Sequence, residues 1–465
     1  MTANSRFAPA RIAAAPLPVA LVALVGLAAC IGGAGSTASP QPSLTELAPT
    51  PAAPSPTGPP SPTAQPTPAQ TTTPALSPSA ATSPSPAGSP SPTVMAGNPW
   101  QYLTDFPVDG AIEVSSLTGT PTGFVAVGYE PMPGDGYYGR RQGVVWRSTD
   151  GLAWERLAPV ELELASLDQV VLLNDQLYAF GMLSACPYVI DDACTDMPEA
   201  GWTVWRSADG ASWTRLAQSP LLKSTLLDGV VAGSGLLVAH GSTGDELAAA
   251  VWLSSDGETW EETRDLAGMD PISAMTNGPN GLVAIGTQYV PSLEVTQALA
   301  AISADGRSFQ QAQLPTGLPF LFESVASTDA GYVAVGHAED EEQSVMAAAM
   351  ASADGLTWSA APDNPDFADV RFEHVSAVPG GFVAVGSIPQ ETFGLQIGST
   401  WFSSDGLTWA EVGDLPQGVY QELGAAAPGP PGMAIFATDF DEQGADVVIS
   451  TIHAWFAPAG GLAAR

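Results

Sequence analysis

The chain of 465 residues carries 48 acidic and 13 basic residues, a formal net charge of −35. A field of that sign excludes a broad basic face for nucleic acid or for an anionic membrane surface, and leaves cationic partners and plain solubility open. Only Arg6, Arg11 and Glu46 precede residue 96, so the negative charge belongs to the region after it.

Residues 1–30 begin with Arg6 and Arg11, continue through an apolar stretch from Ile12 to Ala29, and end Leu27-Ala28-Ala29-Cys30. That order is the order of a secretory signal. Its last four residues resemble the lipobox of bacterial lipoproteins. The resemblance implies a diacylated Cys30 as the mature first residue and a domain held outside the cytoplasm at the cell membrane or outer membrane. A plain signal peptide or a short anchor is the alternative, although Pro16 and Pro18 interrupt the apolar run. Residues 31–95 hold 17 prolines among Ser, Thr, Ala and Gly, too little apolar surface to offset the entropy of folding. They are expected to form an extended tether.

From residue 96 to about 460 the chain is repetitive. Ser-x-Asp-Gly-x-x-aromatic occurs six times, with its Asp at Asp150, Asp209, Asp256, Asp305, Asp354 and Asp405, between 47 and 59 residues apart. Asp-Gly between two apolar runs is a hairpin signal, because Gly takes positive φ and the carboxylate accepts the turn's own amides. Upstream of each copy lies a short apolar run such as 123–128, 281–286 or 381–386, with a looser seventh at 432–437, and before those a further candidate strand such as 112–117 or 372–377. Four strands per 50 residues is the grammar of a propeller blade. Seven runs against six turns leave the last unit short of a fourth strand. Trp100-Gln101-Tyr102-Leu103 has the look of the segments that follow the turns, so it is expected to complete blade seven. A six-bladed ring with an add-on, or eight blades, are the other counts.

The repeated turn resembles the Asp-box of BNR-type propellers, found in sialidases, other glycoside hydrolases, sortilin-like receptors and photosystem II assembly factors. The resemblance implies an all-β, seven-bladed β-propeller in which the six Asp residues are structural. It also implies a ligand face on the opposite side, formed by the loops between strands two and three and between blades. The unusual loops there are 129–142 and 182–202. They supply the candidate binding residues Tyr137, Tyr138, Arg140, Arg141, Tyr188 and Trp202. Loop aromatics of this kind also serve merely to pin a loop down.

Cys186 and Cys194 lie eight positions apart in the second loop, and in an exported domain the expectation is a local disulfide. Nearby Asp191, Asp192 and Asp196 follow no calcium-loop order, so neither metal nor cofactor is expected. A sialidase-like site needs three converging arginines and has only Arg371 near the axis. Glu113, Asp168, Glu323 and Glu373 begin blade units and are read as inner-strand polar groups, with a two-carboxylate glycosidase as the catalytic alternative. His240, His337, His374 and His453 show no ligand spacing. The expected function is a non-enzymatic envelope module recognising a protein or glycan. The rivals are an extracellular glycoside hydrolase and an assembly factor for a membrane protein complex.

Overall fold

The computed structural model describes residues 97–462 apart from 109, 111–112, 133–139, 184–200, 224, 244–247, 291–294, 316–319, 340–343, 391–394 and 443–447. Seven four-stranded antiparallel sheets make up this region. Blade 1 is typical: Glu113–Thr120, Gly123–Pro131, Arg141–Ser148 and Glu155–Leu157, each hydrogen-bonded to the next. The inner strands of blades 2 to 7 are Ala165–Leu173, Thr225–Gly233, Ile272–Gly278, Phe320–Thr328, Arg371–Val378 and Glu422–Gly429. Each contacts the inner strand of the next blade, and that of blade 7 contacts that of blade 1. The chain is a seven-bladed β-propeller.

In blade 7 the strands are Glu422–Gly429, Gly432–Glu442, Val448–Pro458 and, at the outer edge, Gln101–Tyr102, which pairs Gln101 with Phe456 and Tyr102 with Trp455. Trp100, directly before that strand, is buried and donates its indole N–H to the Thr400 hydroxyl of blade 6 at 2.7 Å.

The core lies between blades, because each second strand is apolar on both faces and must be covered from both sides. Val127, Phe180, Ile285, Val335, Val385 and Phe436 occupy one level of these strands. Third-strand tryptophans Trp146, Trp205, Trp252 and Trp455 are fully buried, with indole N–H groups paired to Pro107, Glu161, Glu262 and Pro416. An aromatic of that size contributes roughly 2–3 kcal/mol through burial alone.

All seven inner strands slip register at one place. The shift falls between Val114 and Ser116, Leu167 and Gln169, Leu227 and Gly229, Ile272 and Ala274, Phe322 and Ser324, Phe372 and His374, and Leu423 and Ala425. The extra residues are therefore Ser115, Asp168, Asp228, Ser273, Glu323, Glu373 and Gly424. A bulge leaves one residue out of the ladder and re-aims its side chain. It also explains the glycine that ends the second-strand repeat. In six blades Gly128, Gly181, Gly241, Gly286, Gly336 and Gly386 sit directly opposite the residue before the bulge, and in blade 7 Ala437 takes that place. At Gly181 a Cβ would stand 2.1 Å from the Ser166 carbonyl oxygen, and at Gly336 1.9 Å from that of Leu321.

Candidate functional site

Two faces of the ring differ. On one lie the six Ser-x-Asp-Gly turns. In each, the glycine amide donates to the serine hydroxyl at 2.8–2.9 Å. Asp150, Asp209, Asp256, Asp354 and Asp405 each accept two further amides on Oδ1, and Asp305 accepts that of Arg307. These bonds favour the charged form and hold all six carboxyls below the usual range, against the opposing effect of burial, which is the largest contribution at Asp405. Each carboxylate thus braces its own turn through Oδ1.

The box glycines carry a second load. A Cβ on Gly151 would meet Phe456 at 2.2 Å, one on Gly257 would meet Tyr178 at 3.0 Å, and one on Gly406 would meet Val333 at 2.2 Å, each a residue of the preceding blade. Trp213, Trp260, Trp358 and Trp409 fill the same seams.

The opposite face carries the loops between blades and those between second and third strands. There the inner strands begin, and there the bulges put their carboxylates. Beneath them an axial cavity of about 610 Å³ is bordered by Ser115, Gln169, Thr276, Asn277, His374 and Gly424, among others. Five acids near the loop-face ends of the inner strands, Glu113, Asp168, Glu323, Glu373 and Glu422, feel one another. Asp168 is pushed up to about 7 by burial and by the Glu113 charge, with Arg141 opposing. Glu373 is pushed up to about 7 by burial, with Ser387 and Arg371 opposing and with Glu323 and Glu422 adding to the rise. Glu113, Asp228 and Glu422 are raised chiefly by burial, Glu422 also by the Glu113 charge. Glu323 lies 3.3 Å from His337.

Some hydrogen bonds offset this desolvation. Ser115 donates to Glu113 at 2.8 Å and Ser387 to Glu373 at 2.6 Å. Others are missing. Asp168 Oδ2 is wholly buried and has no hydrogen-bond partner among the described residues, and the same is true of the hydroxyl of Tyr420, a fully buried side chain whose ionisation is resisted by burial and by Glu373. His240 and His374 are pushed down to about 4 by burial, so both are neutral at physiological pH. Among the described residues no group of three or more His, Cys, Asp or Glu is gathered closely enough to hold a metal ion.

Of the residues singled out from the sequence, Arg141 lies beside two of these acids. It reaches the Ser166 hydroxyl at 2.8 Å, stacks on Tyr129 at 4.1 Å, and lowers the carboxyls of Glu113 and Asp168. Arg140 is exposed beside it, its carbonyl accepting the Met132 amide. Trp202 is a correction: it begins a third strand and packs into the core with Trp252 and Leu222, so its ring belongs to the scaffold. Tyr137, Tyr138 and Tyr188 lie outside the described residues, as do Cys30 and the segments 1–30 and 31–95. The Cys186–Cys194 disulfide is withdrawn: among the described residues there is no paired cysteine, and none of the three cysteines of the chain falls among them. Asp228 and Glu422 were missed. For Asp228 the signal was present, since it is the bulge residue next to Leu227, which faces the repeat glycine Gly241; Glu422 precedes the bulge of blade 7, where Ala437 replaces that glycine.

The loop face is also where apolar side chains are exposed. Of eight large hydrophobics open to solvent among the described residues, only Leu152 lies in a Ser-x-Asp-Gly turn. Val108, Val160, Met182, Leu221, Leu226, Leu321 and Met346 all sit in blade-to-blade loops, at inner-strand starts, or beside the second-to-third-strand loops.

No family model matches the chain, and no curated protein matches it. Solved structures do. The chain is similar to YCF48 bound to D1 peptide, at 13% identity over 79% of this chain and 99% of that one, with a TM-score of 0.45. It is similar to a Trypanosoma rangeli sialidase, at 10% identity over 80% of this chain and a TM-score of 0.40, and spans 60% of that protein's length. A third likeness is to the β-propeller domain of the trilobed protease from Pyrococcus furiosus, at 11% identity over 74% of this chain and 93% of that one, with a TM-score of 0.45. At these identities the likeness concerns the path of the chain alone.

Proposed function

We propose that this chain is a non-enzymatic binding module of the cell envelope that recognises a partner protein through the loop face of its propeller. In this reading Cys30 carries a lipid, residues 31–95 are the tether, and the domain stands outside the cytoplasm. The Asp-box turns and the amino-terminal strand fasten the ring and take no part in recognition. The observation that carries the reading is the segregation of exposed apolar side chains: among the described residues, seven of eight large ones stand on one face. Solvent-exposed apolar groups gathered on one side of a molecule mark an interaction surface.

The test is recovery of partners from solubilised membranes with the intact chain, compared with a variant carrying Leu226→Ser and Leu321→Ser on the loop face. A saturable partner bound by the first and lost by the second is the expected result. Equal recovery by both removes the face from consideration.

A second reading, glycoside hydrolysis, is favoured by one observation. Asp168 and Glu373 are both pushed up to about 7, the range in which a carboxyl gives or takes a proton at physiological pH. Incubation with a broad glycan panel decides between the two, since product formation abolished in Glu373→Gln would replace binding by turnover.

A further inference from the structure

We propose that the cleft between blades 1 and 2, on the face of the Ser-x-Asp-Gly turns, binds a neutral saccharide. This site lies on the side of the ring that the loop-face partner does not use, so it goes beyond the binding-module reading and stands independently of it. The cleft encloses about 630 Å³, within the roughly 300–1,000 Å³ of sites that take small ligands. Phe124, Leu172 and Leu177 give it an apolar lining, and Trp154, Arg147 and Glu155 border it.

Clefts also open between blades 4 and 5 and between blades 5 and 6, so the space follows from the fold, whereas the groups around it at the first seam do not. The residue directly before the turn serine is Leu253, Ile302 or Phe402 in blades 3, 4 and 6, each buried, and Ala351 in blade 5. Blade 1 has Arg147 there. Blade 2 has Arg206, but its partner across the ladder is Tyr178, whose ring lies 3.0 Å from where a Cβ on the next turn's Gly257 would stand. Arg147 faces the smaller Val125, and its guanidinium is fixed at the cleft by Glu155 and by the Asp209 carbonyl oxygen at 3.0 Å. The turn aromatic differs as well. Trp213, Trp260, Trp358 and Trp409 are buried, whereas Trp154 is only partly covered and stacks on Phe124 with ring centroids 5.9 Å apart.

These groups select a ligand class. The Arg147–Glu155 pair carries no net charge and sets N–H donors beside carboxylate acceptors, which suits hydroxyl groups, since each both accepts and donates. Glu155, Asp175 and Asp209 outnumber Arg147 at the cleft, so an anion is repelled. A purely apolar ligand would strip water from the ion pair without replacing it. The aromatic and aliphatic lining covers the C–H face of a sugar ring. The turn of blade 2 contributes only a wall and the Asp209 carbonyl that Arg147 already occupies.

Immobilised neutral oligosaccharides, among them glucans, mannans, galactans and arabinans, are offered to the intact chain, with sialylated, uronic and phosphorylated glycans beside them. Saturable retention of a neutral sugar is expected. Arg147→Leu gives blade 1 the residue that blade 3 carries as Leu253, which keeps the seam packed while removing the donor, and binding is expected to fall at least about tenfold. Thr122→Arg, at an exposed hairpin position bordering the cleft, is expected to block binding as strongly with an unchanged melting temperature. The Leu226→Ser/Leu321→Ser variant of the opposite face is expected to hold the sugar as the parent does.

The proposal is overturned by failure to retain any neutral sugar, by preference for the charged glycans, by undiminished binding in either cleft variant, or by loss of binding in the loop-face variant. A membrane partner that depends on Leu226 and Leu321, with no sugar held, leaves the binding module standing and removes this site. Sugar held at the cleft with no membrane partner does the reverse.

Discussion

At the scale of single residues, the two faces spend their carboxylates in opposite ways. Asp256 accepts the amides of Glu258 and Thr259 at 2.8 Å each, and removing it strands both donors. Asp256→Ala is therefore expected to cost about 1–3 kcal/mol in urea unfolding, with Asp256→Asn recovering part of it. Because the box carboxyls lie below their usual range, the stability they lend is present above about pH 4 and disappears as they take up protons on acidification. Asp168 runs the other way. Its folded value of about 7 exceeds the ordinary 3.8, so the folded state holds the proton more tightly. Its contribution is complete below pH 3.8 and is lost as pH rises to 7 under the pressure of burial and of Glu113, with Arg141 only partly compensating. Asp168→Asn should leave stability near pH 4 unchanged and raise it at pH 8 by on the order of 2 kcal/mol, a difference that melting curves across that range resolve.

At the scale of elements, the bulge is the device that separates scaffold from site. Gly181→Ala forces a Cβ onto the Ser166 carbonyl at 2.1 Å, so the register shift beside Asp168 must move or flatten. A loss of about 1–3 kcal/mol is expected, together with a fall in the apparent pKa of Asp168 as its side chain turns toward water; carboxyl titration by NMR reads the second effect. This element also shows where sequence reasoning stops. The hairpin turns are local chemistry and repeat in the residues themselves, so six blades were legible from Asp150 onward, and the seventh apolar run at 432–437 gave the last. The terminal glycine of the second-strand repeat was equally visible, yet its cause lies across the ladder, in a carbonyl of another strand. For that reason Glu113, Asp168, Glu323 and Glu373 were noticed one by one while Asp228 and Glu422 were not, and the repulsion that links Glu422 to Glu113 and Glu373 went unseen. Trp202 failed for a related cause. Its loop was judged from composition, whereas the residue had already entered a strand covered by blade 3.

At the scale of the whole molecule, every blade from 1 to 6 wedges its box turn against its predecessor, and blade 7 has no box. In its place Trp100 packs among Val383, Val385 and Phe402 of blade 6 and Met433 and Ile435 of blade 7, with Asn98 reaching the Asp414 carbonyl at 2.5 Å. Tyr102 adds a contact to His453 at 3.3 Å, which in turn meets Asp439 at 2.9 Å. Trp100→Ala is expected to cost about 3–5 kcal/mol, more than any single box tryptophan, because it loosens the seam between blades 6 and 7 as well as the core. A broadened, less cooperative transition by calorimetry would accompany it. The outer strand itself is short, two residue pairs and the Leu103 amide on Ala454. Any tension drawn along the amino-terminal end therefore reaches this seam before the other blades, and an optical-trap pull from that end should meet a small first rupture that opens the propeller like a clasp while the remaining sheets hold.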